Sequence, residues 1–182
     1  MLFNSYIFVF LFFPVSLSGY WLCVKAVEKK GRSFLPSLFL VAASLLFYGY
    51  LKPAYLPVLL VSLLVNFAFY RQIEKRKEKK AFLAGGIFLN LLVLGIFKYT
   101  GSTFVPLGIS FFTFSQIAFL VEGCRGSLKR TSLLDYSVYL TFFPKIMEGP
   151  IALPTDFLPA YQESGKKGFS IENLYRGLTL FI

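Results

Sequence analysis

Residues 54–97 read AYLPVLLVSLLVNFAFY (54–70), RQIEKRKEKK (71–80) and AFLAGGIFLNLLVLGIF (81–97). Two 17-residue stretches without a charge flank a segment holding six lysines and arginines. A helix rises about 1.5 Å per residue, so each stretch reaches roughly 26 Å, the short end of what crosses a hydrocarbon core of about 30 Å. Lys and Arg at the ends make up the difference by extending their charged heads to the interface. The apolar residues lie on every face of each stretch, without the alternation of barrel strands. In lipid every backbone N–H and C=O needs an internal partner, which a helix supplies within its own segment. The block therefore reads as two membrane helices joined by a basic loop.

The same pattern continues outward in both directions. Met1–Val24 carries no charge and precedes KAVEKKGR (25–32). Phe34–Leu51 is uncharged up to Lys52-Pro53, and Tyr99–Val121 is uncharged between Lys98 and the basic cluster from Glu122 to Arg130. Five spanning helices are predicted. The first has no basic n-region and no small-residue cleavage site, so it reads as a retained helix and not a signal peptide. Composition agrees: 56% of the 182 residues are hydrophobic and only 15% charged, against about 25% charged in soluble domains.

The loops predict an orientation. The first, third and fifth hold thirteen basic residues: Lys25, Lys29, Lys30, Arg32; Arg71, Lys75, Arg76, Lys77, Lys79, Lys80; Arg125, Lys129, Arg130. The second and fourth hold Lys52 and Lys98 alone. Excess Lys and Arg stays cytoplasmic, which puts the amino terminus outside. Tyr20, Trp21, Tyr48, Tyr50, Tyr55, Tyr70 and Tyr99 fall at the span ends as an interfacial belt. The net charge of +10 marks topology and contact with anionic lipid. Basic blocks threaded between apolar runs do not make a nucleic-acid footprint.

The chemistry-bearing residues are few. There is no histidine, which rules out His ligands and His general bases within these residues. Cys23 and Cys124 have no metal spacing, so no metal site is predicted. Both fall at the cytoplasmic side, where disulfides are disfavoured. Polar residues inside the spans (Asn66, Asn90, Ser110, Thr113, Ser115, Gln116) are expected to pack and hydrogen-bond between helices.

After Arg130 the pattern changes. FFPKIMEGPIALPTDFLP (142–159) holds four prolines and three charges, too many for one continuous lipid-facing helix. Lys145 and Glu148 are three apart and share a face if that piece is helical. Gly149-Pro150 ends it, because the residue before proline is pushed out of helical geometry. One reading is a broken, protein-buried element lining a watery cavity open to the cytoplasm. The other is a short amphipathic helix on the inner surface with Lys145 reaching out to water. Gly165–Gly168 reads as an exposed turn.

Several segments resemble one family. MLFNSYIFVFLFFP (1–14) is similar to the first helix of bacterial membrane-bound O-acyltransferases, the group holding alginate O-acetyltransferase and the D-alanyl transfer protein of lipoteichoic acid. SLLFYGYLKPAYLPVLL (44–60) resembles their second-to-third helix hairpin. LLVLGIFKYT (91–100) and PLGISFFTFSQIAFLVEGCRG (106–126) resemble their most recognisable early block. LLDYSVYLTFFPKIMEGPI (133–151) and FLPAY (157–161) resemble the family's next segment, and SIENLYRGLTLFI (170–182) resembles the start of its next helix. The blocks at 106–126 and 142–151 are specific in combination.

The resemblance implies an all-α polytopic membrane protein, with residues 1–182 the amino-terminal part of one transmembrane domain cut at its carboxyl end. It implies transfer of an acyl group, acetyl or D-alanyl, to hydroxyls of an envelope polysaccharide such as alginate, in the bacterial plasma membrane. The donor, acetyl-CoA or an acyl carrier, would come from the cytoplasm; no cofactor is bound. The acceptor would come from outside, with room for a periplasmic or extracellular acyltransferase partner. The family's general base is a histidine on a later helix, so no catalytic residue falls in this chain. Lys145, Glu148, Gly149 and Pro150 carry over as part of the segment facing the reaction chamber. A non-enzymatic scaffold or assembly partner of the same ancestry is the alternative.

Overall fold

The computed structural model describes residues 6–30, 34–99, 105–146 and 152–167. Among the described residues every regular element is helical: α1 (Phe13–Lys30, entered through a wide turn at Phe8–Phe12), α2 (Phe34–Leu51), α3 (Leu56–Lys75), α4 (Lys79–Tyr99), α5 (Ile109–Arg125), α6 (Leu133–Thr141), α7 (Phe143–Ile146) and α8 (Pro154–Lys167). The all-α membrane architecture holds. Three stretches have the length and hydropathy of a full crossing: Phe10–Val27, Pro53–Lys75 and Lys79–Tyr99. The apolar helix at Phe34–Tyr50 is shorter, so five full spans are not established.

The fifth predicted span is corrected most. Tyr99–Val121 is not one element: α4 runs to Tyr99 and α5 begins only at Ile109. The start of α5 is set by a turn in which Ile109 N–H donates to Pro106 C=O at 3.2 Å. Gly108 there has φ 70°, a left-handed conformation that costs a side-chain-bearing residue energy. At the other end Gly126 has φ 77°. Its N–H donates to Gly123 C=O at 3.2 Å and Ser127 N–H to Glu122 C=O at 3.1 Å, the Schellman pattern that satisfies the last carbonyls. Uncharged length alone could not distinguish 23 apolar residues in one helix from a helix end, a turn and a shorter helix.

α5 is the innermost helix, packed by α3, α4, α6 and α8. Phe119 on its inner face sits 4.6 Å from the ring of Tyr136 and 4.9 Å from that of Tyr70. The outer face of α4 exposes Phe88, Leu91 and Leu92, as a lipid-facing helix does. The turn that leads into α1 packs on α2 through rings of Phe8, Phe12 and Phe47, with Phe143 from α7 joining the same cluster. Gly165–Lys167 belong to the last turn of α8 and not to the predicted exposed turn; Gly168 lies outside the described residues. α8 carries a polar face and an apolar face.

Candidate functional site

The break between α6 and α7 is built at Phe142. α6 opens with Ser132 as its N-cap, whose Oγ accepts from Asp135 N–H at 3.1 Å, satisfying one of the free donors of the first turn. The helix continues until Phe142, where φ −47° and ψ 108° leave helical space. Pro144 sits in the first turn of α7, the one part of a helix that tolerates proline's missing N–H.

A continuous helix would have joined Phe143 N–H to Tyr139 C=O. The break separates them, and each finds a side chain. Phe143 N–H donates to Ser44 Oγ at 3.2 Å. Tyr139 C=O accepts from Lys145 Nζ at 3.2 Å. Irregular backbone at membrane depth survives only where such partners exist. Ser44 lies ten residues past Phe34, near the middle of the apolar helix α2.

Lys145 is therefore buried, not extended to water; only 9% of it is exposed. Its Nζ stands 3.6 Å over the ring of Tyr139 and 5.3 Å from that of Phe157, where a cation is attracted to the ring faces. Lys145 thus does not reach out to water as the surface-helix reading expects. Glu148, Gly149 and Pro150 lie outside the described residues, so the predicted Lys145–Glu148 pair does too. Among the described residues Lys145 has a carbonyl and two rings as partners.

Tyr139 is the centre of this site, and nothing in the linear pattern marks it. It is fully buried, and its hydroxyl donates to Ala152 C=O at 3.0 Å, with Ser115 C=O 3.4 Å away. Its O–H is thus the donor at the centre of the site. The stretch 147–151 is thus bracketed by two contacts to one residue: Lys145 before it and Ala152 after it. Phe157 continues the wall, edge-on to Tyr139 and Phe142. On its far side is a cavity of about 300 Å³ between α1, α2, α7 and α8, lined by rings of Phe13, Phe143 and Phe157 with Ser16, Tyr20 and Tyr161 among them. Tyr161 is held to α2 by a 2.8 Å hydrogen bond with Ser37. Small hydroxyl residues in an apolar helix are a usable signal for interhelical bonds, which would have found Ser37 and Ser44. Nothing in the spacing links Tyr139 to Lys145 before the break is known.

A second polar cluster lies between α3, α4 and α5. Asn66 and Asn90 exchange amide hydrogen bonds, and Gln116 Oε1 accepts from Ser62 Oγ at 2.9 Å and Asn66 Nδ2 at 3.0 Å. Among the described residues no group of three or more Cys, Asp and Glu is placed to hold a metal.

Comparison with known proteins bears on the whole chain. It is 28% identical to a peptidoglycan O-acetyltransferase of Helicobacter pylori, across 100% of this chain and 42% of that one. It is 25% identical to the probable alginate O-acetylase AlgI of Pseudomonas aeruginosa, across 100% of this chain and 38% of that one. The chain is similar along its whole length to bacterial membrane-bound O-acyltransferases. A teichoic acid D-alanyltransferase of Lacticaseibacillus rhamnosus is 30% identical over 59% of this chain and 29% of its own length. The chain spans about two fifths of the length of the O-acetyltransferases it matches. No family model matches it, and no solved structure does. Similarity to these acyltransferases covers the α6–α7 break as well as the apolar helices.

Proposed function

We propose that the chain is the amino-terminal portion of a membrane O-acyltransferase that moves an acyl group, acetyl in this reading, onto hydroxyls of an envelope polysaccharide such as alginate. The observation that carries this is similarity over the whole chain to enzymes named for O-acetylation of peptidoglycan and alginate. The α6–α7 break supports it. A charged residue held inside a membrane protein is costly and marks function more often than packing.

In this reading the break, with Lys145 and the adjoining Glu148, Gly149 and Pro150, faces the reaction chamber. The donor, acetyl-CoA or an acyl carrier, enters from the cytoplasm, and the polysaccharide hydroxyl from outside, in a plasma-membrane protein whose amino terminus is outside. An extracytoplasmic acyltransferase partner would act on the same polymer. A hydroxyl is a weak nucleophile until a base takes its proton. With no histidine in the 182 residues, the base comes from elsewhere in the family's longer domain. Tyr139 and Lys145 hold the wall in shape.

The test is to express the natural reading frame containing these residues, at the length at which it is translated, in cells lacking their own envelope acyltransferase. Ester-linked acyl groups on the envelope should be restored. Residues 1–182 alone should restore none, since a positioned general base is worth roughly 10²–10⁴ in rate. Acylation by residues 1–182 alone would refute the placement of the base. No acylation by the natural frame, with the protein present in the membrane, would favour the scaffold alternative.

A further inference from the structure

The largest block of charge in the chain is unused by the proposed chemistry. Gly86 on α4 fixes how its surroundings are aligned. A Cβ built there would meet Leu120 of α5 at 2.7 Å and Phe69 of α3 at 3.5 Å. These three residues are therefore level. Six residues further toward the same end stand Lys75 on α3, Lys80 on α4 and Gly126 just past α5. Gly123 adds a second close approach: a Cβ there would meet the ring of Tyr70 at 2.9 Å.

The α5–α6 connection is fastened to that end. Thr131 N–H donates to Tyr70 Oη at 3.2 Å, Thr131 is buried, and Leu128 packs against the main apolar cluster. Lys129 and Arg130 are thus held beside the end of α3. Residues 75–80 hold five cations and one anion, Glu78. Arg71 is paired with Glu74 and Arg125 with Glu122, each at 2.8 Å. The remaining cations of this end make no ion pair among the described residues and are exposed.

We propose that the shared end of α3, α4 and α5 is one binding surface for anionic phospholipid headgroups, formed by Lys75–Lys80 together with Lys129 and Arg130. Charge complementarity names the occupant, and position supports it. The cations begin within a turn of the ends of α3 and α4, two helices long enough to cross the bilayer, so they stand at headgroup depth. The fastened loop adds a second row of charge beside the first, giving a phosphate donors from two sides. Uniform attraction of separate flexible loops would not depend on Tyr70; this surface does.

The natural-frame protein, purified in mild detergent, is titrated with phosphatidylglycerol or phosphatidylcholine, and bound lipids are counted by native mass spectrometry. Phosphatidylglycerol should bind preferentially, more weakly as salt screens it. The combined variant Lys77→Gln, Lys79→Gln, Lys129→Gln, Arg130→Gln should weaken that binding roughly 600-fold, since each cation near an anionic surface is worth about a fivefold factor. Tyr70→Phe, which keeps the ring and deletes the acceptor for Thr131, should weaken it severalfold. Lys52→Gln with Lys98→Gln, at the opposite end, should change nothing. Equal phosphatidylglycerol binding by the fourfold variant and the parent overturns the proposal. So does inorganic phosphate competing at the lipid's own concentration, which would make it a free-anion site, or a polyglutamate peptide binding where the lipid does not, which would make it a protein-docking face.

Discussion

Two clusters of buried polar groups among the described residues are held in opposite ways. Between α3, α4 and α5 the helices are unbroken, and the amides of Asn66 and Asn90 answer each other while Gln116 Oε1 accepts from Asn66. At α6–α7 the helix is broken, and a cation with a hydroxyl repairs the backbone. The first arrangement joins helices whose own hydrogen bonds are complete. The second is required by the backbone itself: without Ser44 and Lys145, a buried N–H and C=O would be left bare. Neutral amides lose little when one is removed, since the others re-pair. A break with its charge has no such reserve.

The largest expected effect tests that lack of reserve. Lys145→Glu sets a carboxylate against the Tyr139 carbonyl and removes the cation. Leaving an uncompensated buried charge costs roughly 3–5 kcal/mol, so the variant should fail to accumulate in the membrane. Lys145→Met keeps the stem and leaves only the carbonyl unpaired, a cost of about 1–3 kcal/mol, and should accumulate with a lower melting temperature in detergent. If both variants accumulate like the parent, Lys145 is not buried as described.

The amide cluster should respond less. Asn90→Leu is expected to cost about 0.6 kcal/mol, and no more than about 2. Asn66→Leu with Asn90→Leu should cost less than the two single changes added, because the reciprocal pair is lost only once. Simple additivity in detergent unfolding would mean the two amides do not interact.

The two regions also differ in how legible they are in the sequence. Asn66, Asn90 and Gln116 stand out as polar residues within apolar runs, and their role as interhelical partners arises because lipid offers them nothing else. The prolines at 144, 150 and 154 mark a break. They do not say that Lys145 turns inward onto Tyr139, nor that Ser44, ninety-nine residues from Phe143, takes its N–H. The short helix α5 is hidden because charge spacing marks where a chain leaves the membrane but not where a helix starts within an uncharged run.

By itself the sequence determined that this is a helical membrane protein, because long uncharged runs have one stable backbone solution in lipid. It also determined that the basic loops alternate with the poor ones, since that is a property of the order of residues alone. Which groups meet was decided only by the tertiary structure. Tyr139, Lys145, Ala152 and Ser44 come together through packing of α2, α5 and α8 around a broken helix. A hydrogen-bond partner in lipid is selected by distance in space, which linear spacing across a break does not encode.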